Sequence, residues 1–239
     1  MASITLNDLI YRVYENLRAT GNSDDDVDIR EIANWIQNIR AKYIKQKADK
    51  YPLAPIDEAY VQDLGAVQIE IVDSSNHDTL KSFRNMMRSA VSIPSPIETS
   101  TGLPLLLRTS PCDLLEQEYN LISYYKAPFI GKGKFNKFET FSCQISDRIY
   151  IISNDPSIFE IKYLSVRGVF GNPLEVMAFV NPNQPTEYYY QQNYPINISM
   201  AEDLITEATN LWYKFNVTAP KDTIENQSDD LINAPVKQK

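Results

Sequence analysis

Apolar residues recur at every third or fourth position in two stretches near the N-terminus and in one near residue 200, a spacing typical of amphipathic helices. The spacing predicts helices over residues 5–20, 28–49 and 199–215. Gly21 follows the first helix as a stop signal, and Asp28 and Ser199 each precede a glutamate by three residues, as in a capping box. The second helix has an acidic start and a basic half from Arg40 onward, which suits the helix dipole.

Between these helices apolar and polar residues alternate, which indicates β-strands. The clearest hairpin covers residues 138–153 and turns at a Ser-Asp pair. Alternation also predicts strands at 67–71 and 159–170, and the second of these runs into a Gly-Asn-Pro turn. The central antiparallel region therefore extends over about residues 60–170.

Four segments are less regular. We interpret 81–107 as irregular strands and loops, because three prolines interrupt its short apolar runs. Apolar spacing favours short helices at 113–125 and 174–180. The stretch 181–194 has the composition of a polar, Tyr-rich loop.

These elements predict an α+β fold. The N-terminal helical pair and the C-terminal helix pack together beside the antiparallel region, with Trp35 and Trp212 in the core. We expect residues 1–217 to form one domain. Residues 218–239 are almost free of large apolar side chains, so we expect a polar tail that is disordered or becomes ordered on a neighbouring subunit.

Tyrosine is frequent, with 15 Tyr against 9 Phe and 2 Trp. It combines a large contact area with a polar tip, which suits wet interfaces between subunits. The hypothesis is that another subunit is contacted by Tyr188, Tyr189, Tyr190 and Tyr194. A second hypothesis places an acidic partner surface against Lys132, Lys134 and Lys137. The alternative for the tyrosines is packing within their own chain.

The formal net charge is −8, and the sequence pI is about 4.8. An acidic chain does not grip nucleic acid or an anionic membrane, but it can surround DNA without holding it. No apolar stretch approaches the roughly 20 residues that span a bilayer, and the first residues lack the pattern of a signal peptide. We therefore expect synthesis in the cytoplasm, with Cys112 and Cys143 as reduced thiols.

Few residues have a pattern that points to catalysis. His77 is the single histidine and lies in a loop composition, so we interpret it as a solvated side chain. Asp24, Asp26 and Asp28 have the spacing of a calcium loop, but Ile and Trp stand where such a loop needs Gly and Glu. The segment 131–134 lacks the length of a phosphate-binding loop. We predict no enzyme, cofactor or metal site.

Three segments carry a family resemblance: NWIQNIRAKYIKQK at 34–47, RGVFGNPLEV at 167–176 and TAPKDTIENQSDD at 218–230. Together they resemble the head-to-tail connector, or ring, proteins of crAss-like short-tailed bacteriophages. The resemblance implies a virion structural protein that forms a closed ring, of twelve copies, around the DNA channel. One face of the ring would bind the portal or another ring, and the other face would bind the next tail component.

Three alternatives stay open at this point. The first is another structural role in the virion, such as a tail-tube-like or minor protein. The second is a monomeric binding module, which would not need self-association. The third is a phage hydrolase, because paired catalytic carboxylates cannot be recognised in a sequence.

Overall fold

The computed structural model describes residues 4–20, 28–73, 75, 85–112, 118–129, 133 and 136–216. The α-helices in this part of the chain are α1 (Leu6–Thr20), α2 (Ile29–Lys50), α3 (Pro173–Val180), α4 (Thr186–Tyr190) and α5 (Ile198–Asn216). The strands are β1 (Gln62–Ile71), β2 (Asn85–Ser89), β3 (Leu106–Pro111), β4 (Asn120–Leu121), β5 (Phe141–Ile145), β6 (Arg148–Ser153) and β7 (Tyr163–Gly168). Short 3-10 helices cover Glu58–Tyr60, Tyr124–Phe129 and Pro156–Glu160.

Helices α1, α2 and α5 pack against one another and enclose a hydrophobic core. Trp212 is buried in this core, and Trp35 packs against it. The Asp28 carboxylate accepts a hydrogen bond from the Arg30 amide (2.9 Å) and caps α2, as the capping pattern predicts. Helix α5 is capped by Asn197, whose side-chain oxygen accepts a hydrogen bond from the Met200 amide (2.9 Å). The helix therefore begins at Ile198, one residue before the predicted start at Ser199.

The strands form one sheet in the order β3-β7-β1-β2-β6-β5-β4. Neighbouring strands are antiparallel except for the short β4, which runs parallel to β5. The predicted hairpin is present as β5 and β6, with its turn at Ser146, which has a positive φ of 55°. The predicted α+β class, with helices from both ends packed beside a mostly antiparallel sheet, is confirmed.

The two edges of the sheet approach each other. The Tyr119 amide, just before β4, donates a hydrogen bond to the Thr109 carbonyl of β3 (2.8 Å). A sheet whose outer strands meet in this way is curled towards a barrel. Residues on its two faces form two further core clusters, one of them around Ile149, Ile151 and Leu164.

The segment 81–107 contains strands and loops, as predicted, in its described residues 85–107, and its strand β2 lies at the centre of the sheet between β1 and β6. Other predictions for the middle region are wrong. A short helix was predicted at 113–125, of which residues 113–117 lie outside the described residues. Residues 118–125 contain β4 and the start of a 3-10 helix instead. The strand predicted at 159–170 is shorter, since a 3-10 helix occupies its beginning. The loop predicted at 181–194 contains α4, whereas the short helix predicted at 174–180 is present as α3.

A single buried arginine joins the helical core to the sheet. Arg40 of α2 has no exposed surface, and its guanidinium donates hydrogen bonds to three backbone carbonyls. The acceptors are Phe170 after β7 (2.8 Å), Pro195 before α5 (2.9 Å) and Tyr60 before β1 (3.3 Å). The Tyr194 ring centre lies 5.8 Å from the guanidinium carbon, within cation–π range. Burial lowers the pKa of Arg40 to about 10, so the side chain remains charged at neutral pH.

One carboxylate between α2 and α5 gives the stability of the fold a pH dependence. Glu207 accepts a hydrogen bond from Lys42 (2.7 Å), and bonds from Lys42 and Tyr43 hold its pKa below the ordinary glutamate value of 4.5. Because the folded-state pKa is the lower one, the unfolded chain takes up protons first as the pH falls. The stability from Glu207 is therefore present above pH 4.5 and is lost on acidification.

We expect Glu207→Gln to lower the free energy of unfolding at pH 7 by about 0.5–1 kcal/mol, because the ion pair is half exposed. The difference from the wild type should shrink as the pH falls below 4.5, because the Glu207 carboxylate of the unfolded wild-type chain is protonated before that of the folded chain. Urea denaturation at pH 7, 5 and 3.5 measures this. A difference that stays constant across these values would contradict the assignment.

Candidate functional site

The described residues provide no obvious catalytic centre. No group of three or more His, Cys, Asp or Glu in this part of the chain is placed to hold a metal ion. His77 and the first two aspartates of the calcium-like pattern, Asp24 and Asp26, lie outside the described residues. Burial raises the pKa of the Cys143 thiol to about 12, so this cysteine is a core residue. The described helices also include none that is long and apolar enough to cross a membrane.

The predicted tyrosine interface divides into exposed and buried side chains. Tyr189 is 6% exposed, and its hydroxyl donates to the carbonyls of Asn181 (2.6 Å) and Gln184 (3.1 Å). Tyr194 is 1% exposed and lies beside Arg40. Packing within the chain, the alternative considered from the sequence, is therefore the environment of both.

The other two tyrosines reach the surface. Tyr188 is 38% exposed and meets the Tyr189 ring edge-on at 5.9 Å between ring centres. Tyr190 is half-buried and packs against the helical core. Helix α4 causes this division, because consecutive residues on a helix point in different directions. Tyr188 and Tyr190 remain available for a partner.

The predicted lysine surface is described only in part. Lys132 and Lys134 lie outside the described residues. Lys137 is exposed, and its ammonium group lies 5.3 Å from the ring centre of Phe138. This arrangement joins a positive charge to an exposed aromatic ring, which sequence reasoning did not anticipate.

The aromatic side chain of Phe138 borders a cleft of about 750 Å³ at the end of the sheet where β3 finishes and β7 begins. Phe138 is 68% exposed and Tyr163 is 48% exposed, and both line the cleft. Three exposed carboxylates share the same lining: Glu118, Glu139 and Glu160. An open cleft with aromatic rings and carboxylates suits contact with a protein surface.

A family model described as phage tail ring protein 2 matches residues 8–231, nearly the whole length of the chain. The chain belongs to the phage tail ring protein 2 family. The resemblance inferred from the three quoted segments is thereby confirmed at the level of a phage ring protein. No curated protein matches the chain. As a tail ring protein it is a virion component that assembles with other tail parts.

A ring protein acts through the surfaces by which its subunits contact one another and their partners. One candidate surface is an open groove of about 950 Å³ beside the first turn of α2. Its lining includes Ile29 and Asp28 at the start of α2, Leu174 on α3, and Glu187 and Tyr190 on α4. We call this the α2 groove. It places one of the predicted interface tyrosines beside apolar and acidic side chains of other helices.

A second surface of this ring protein lies at the opposite end of α2. Residues 51–55, which we call the knob, have the sequence Tyr-Pro-Leu-Ala-Pro, and all five are exposed. Leu53 is 98% exposed at its tip, and Tyr51 is 53% exposed. The pattern of apolar residues did not predict the knob, because residues 51–55 have neither helical nor strand periodicity and their exposure depends on the fold.

Proposed function

We propose that this tail ring protein forms a closed ring in the head-to-tail connector of a tailed phage. In this role it bridges the portal, or an adjacent connector ring, and the next tail component. The observation that carries the proposal is the family match over residues 8–231. The number of copies, twelve, follows from the resemblance to crAss-like connector rings. Each copy contributes the domain expected over residues 1–217, whereas the polar tail expected at 218–239 lies outside the described residues.

The charge of the chain supports a role around DNA. At −8, the chain repels the phosphate backbone instead of binding it. A channel built from such subunits lets DNA pass without adhering. Exposed aromatic residues support contact with several neighbours, since Tyr and Phe are enriched at protein interfaces.

Cryo-electron microscopy of the virion neck, with the density of this chain identified, tests the proposal. A symmetric ring between portal and tail is the expected result. A ring elsewhere in the tail would refute the connector position, and absence of the chain from the virion would refute the structural role altogether.

Within this ring, we propose that Tyr188 and Tyr190 contact another subunit and that Lys137 meets an acidic partner surface. Tyr188→Ser should weaken incorporation of the chain into virions about tenfold, because exposed interface tyrosines are frequent hot spots. The purified variant should stay folded with a stability loss of about 0.5–1.5 kcal/mol, because Tyr188 is partly exposed but also meets the Tyr189 ring edge-on. Quantitative mass spectrometry of virions measures incorporation.

Tyr189→Phe is the matched control. It removes the hydroxyl that bonds to Asn181 and Gln184 but keeps the ring. We expect a stability loss of about 1–2 kcal/mol and normal incorporation. If Tyr188→Ser unfolds the protein, or if it enters virions normally, the interface role of Tyr188 is wrong.

A further inference from the structure

The knob has the properties of an inserting contact. Leu53 lies at the tip of a turn closed by a hydrogen bond from the Ala54 amide to the Tyr51 carbonyl (3.1 Å). Pro52 and Pro55 restrict the backbone on both sides of the tip. A turn that is already ordered loses little conformational entropy on binding. A contiguous apolar projection of this kind is typical of a contact surface.

Basic side chains surround the knob. Lys50 lies with its ammonium group 5.3 Å from the Tyr51 ring centre, and Lys47 lies 5.4 Å from that of Tyr60. Both lysines are exposed. The nearby Asp49 carboxylate is engaged internally, because it accepts a hydrogen bond from the Ser100 amide (2.7 Å). The Asp57 carboxylate lies close to Lys47 at the base of the knob. The knob therefore presents apolar surface with the positive charge of Lys50 beside it.

The α2 groove presents the complementary character. Ile29 is 54% exposed on its wall, and Leu174 and Tyr190 add apolar surface. Asp28 and Glu187 are exposed carboxylates in the same lining, where Arg30 is the basic side chain, and the Asp28 carboxylate also accepts the capping bond of α2 (2.9 Å). The groove thus combines these apolar side chains with polar Asn, Gln and Thr side chains, and its two carboxylates against one arginine make an acidic rim. Its volume of about 950 Å³ leaves room for a projecting turn.

The two surfaces lie at opposite ends of one rigid element. Helix α2 has 22 residues, which corresponds to a length of about 33 Å. The knob follows its last turn, and the groove borders its first turn. A chain therefore cannot fill its own groove with its own knob, whereas a second copy can. Contacts between two different patches on identical subunits repeat head to tail, and they close into a ring when the rotation allows.

We propose that the knob of each subunit inserts into the α2 groove of the next copy and forms the lateral contact of the ring. Leu53 packs against Ile29, Leu174 and Tyr190 of the neighbour, and Lys50 faces the acidic rim that includes Glu187. This inference rests on the proposed ring, for which it names the two lateral surfaces.

Site-directed crosslinking tests the contact directly. Leu53→Cys and Ile29→Cys are combined in a Cys112→Ser background, which removes the exposed natural cysteine, while Cys143 is buried. The variant chain is supplied to infecting phage, and purified virions are treated with a short bismaleimide. We expect a ladder of covalent oligomers on a denaturing gel. Virions that carry either single cysteine should give monomers.

Charge reversal gives a second, independent readout. Lys50→Glu should lower incorporation into virions about tenfold, because it places like charges against the acidic rim. Adding Glu187→Lys in the same chain should restore it, since every interface then carries the swapped pair. Lys126→Glu is the matched control, because it makes the same change at an exposed position outside both surfaces. It should leave incorporation unchanged.

The outcomes separate the two proposals. If the double-cysteine chain is present in virions as a ring but gives no ladder, or if Glu187→Lys fails to restore Lys50→Glu, the knob-in-groove contact is refuted while the ring remains. An equal loss with Lys126→Glu also refutes it, because net charge would then explain the effect. If the wild-type chain does not self-associate in virions, the proposed ring itself is refuted, and the contact with it.

Discussion

Arg40→Met is expected to lower the free energy of unfolding by about 3–5 kcal/mol, because three buried carbonyls lose their donor at once. The guanidinium bonds to three carbonyls from three separate segments, at Tyr60, Phe170 and Pro195. Methionine fills similar volume but donates no hydrogen bond. The carbonyls would then be buried without the donor that they have now, and each such group costs about 1–3 kcal/mol.

Urea denaturation followed by circular dichroism measures this effect, and Arg12→Met is the control. Arg12 pairs with Glu202 (3.1 Å) on the surface, where both side chains are more than half exposed. Its replacement should change stability by less than about 1 kcal/mol. A similar small effect for Arg40→Met would mean that the carbonyls find other partners, which would contradict the role assigned to Arg40.

Arg40→Lys separates charge from geometry. Lysine keeps the positive charge, but its single ammonium group cannot match the planar fork that reaches three carbonyls. We expect a loss of stability close to that of Arg40→Met. Full stability in the lysine variant would show that charge beside the Tyr194 ring, and not the three hydrogen bonds, supports this junction.

The same residue shows what the sequence could and could not predict. The periodicity of α2 was correct, but Arg40 was grouped with the lysines of an exposed basic half. It lies four residues after Ile36 and four before Ile44, on the buried face of the helix. Spacing therefore contained the signal. The three carbonyl acceptors come from distant parts of the chain, and only the tertiary structure brings them together.

The middle region shows a related limit. Strand β2 has buried residues on both faces, because β1 and β6 flank it and core clusters lie on either side. A strand of this kind lacks the alternation that identifies half-exposed strands. The hairpin β5–β6 was predicted because its turn residues mark it locally. Long-range pairing decides the remaining strands, and no local pattern specifies it.

The sequence predicted that tyrosines form contact surfaces, but it did not predict which of them are exposed. The abundance of tyrosine indicated interfaces, yet Tyr189 and Tyr194 are buried while Tyr188 is exposed. Composition does not specify which side of a five-residue helix faces the core. The knob and the α2 groove each combine residues whose exposure depends on the fold, so the sequence alone could not predict either surface.

Gly168→Ala is expected to destabilise the protein by about 1–3 kcal/mol, the usual cost of adding a methyl group to a well-packed interior. Gly168 ends β7 between two strands, where it pairs with Gln62 of β1 and Leu106 of β3. A Cβ atom here would lie 2.9 Å from the Leu105 carbonyl oxygen and 3.3 Å from the Leu106 Cα. Both are backbone atoms held in the sheet, so they cannot move aside cheaply.

Gly171→Ala, three residues later in the turn that follows β7, makes the matched comparison. Its added Cβ would meet the Ser95 carbonyl oxygen at 3.7 Å, an ordinary contact. Alanine also restricts the unfolded chain, so we expect a change between zero and a gain of about 1 kcal/mol. Urea denaturation of both variants decides the point. Equal effects at the two positions would mean that β3 and β7 can separate locally, and that close backbone packing does not explain the glycine in the Arg-Gly-Val-Phe-Gly segment.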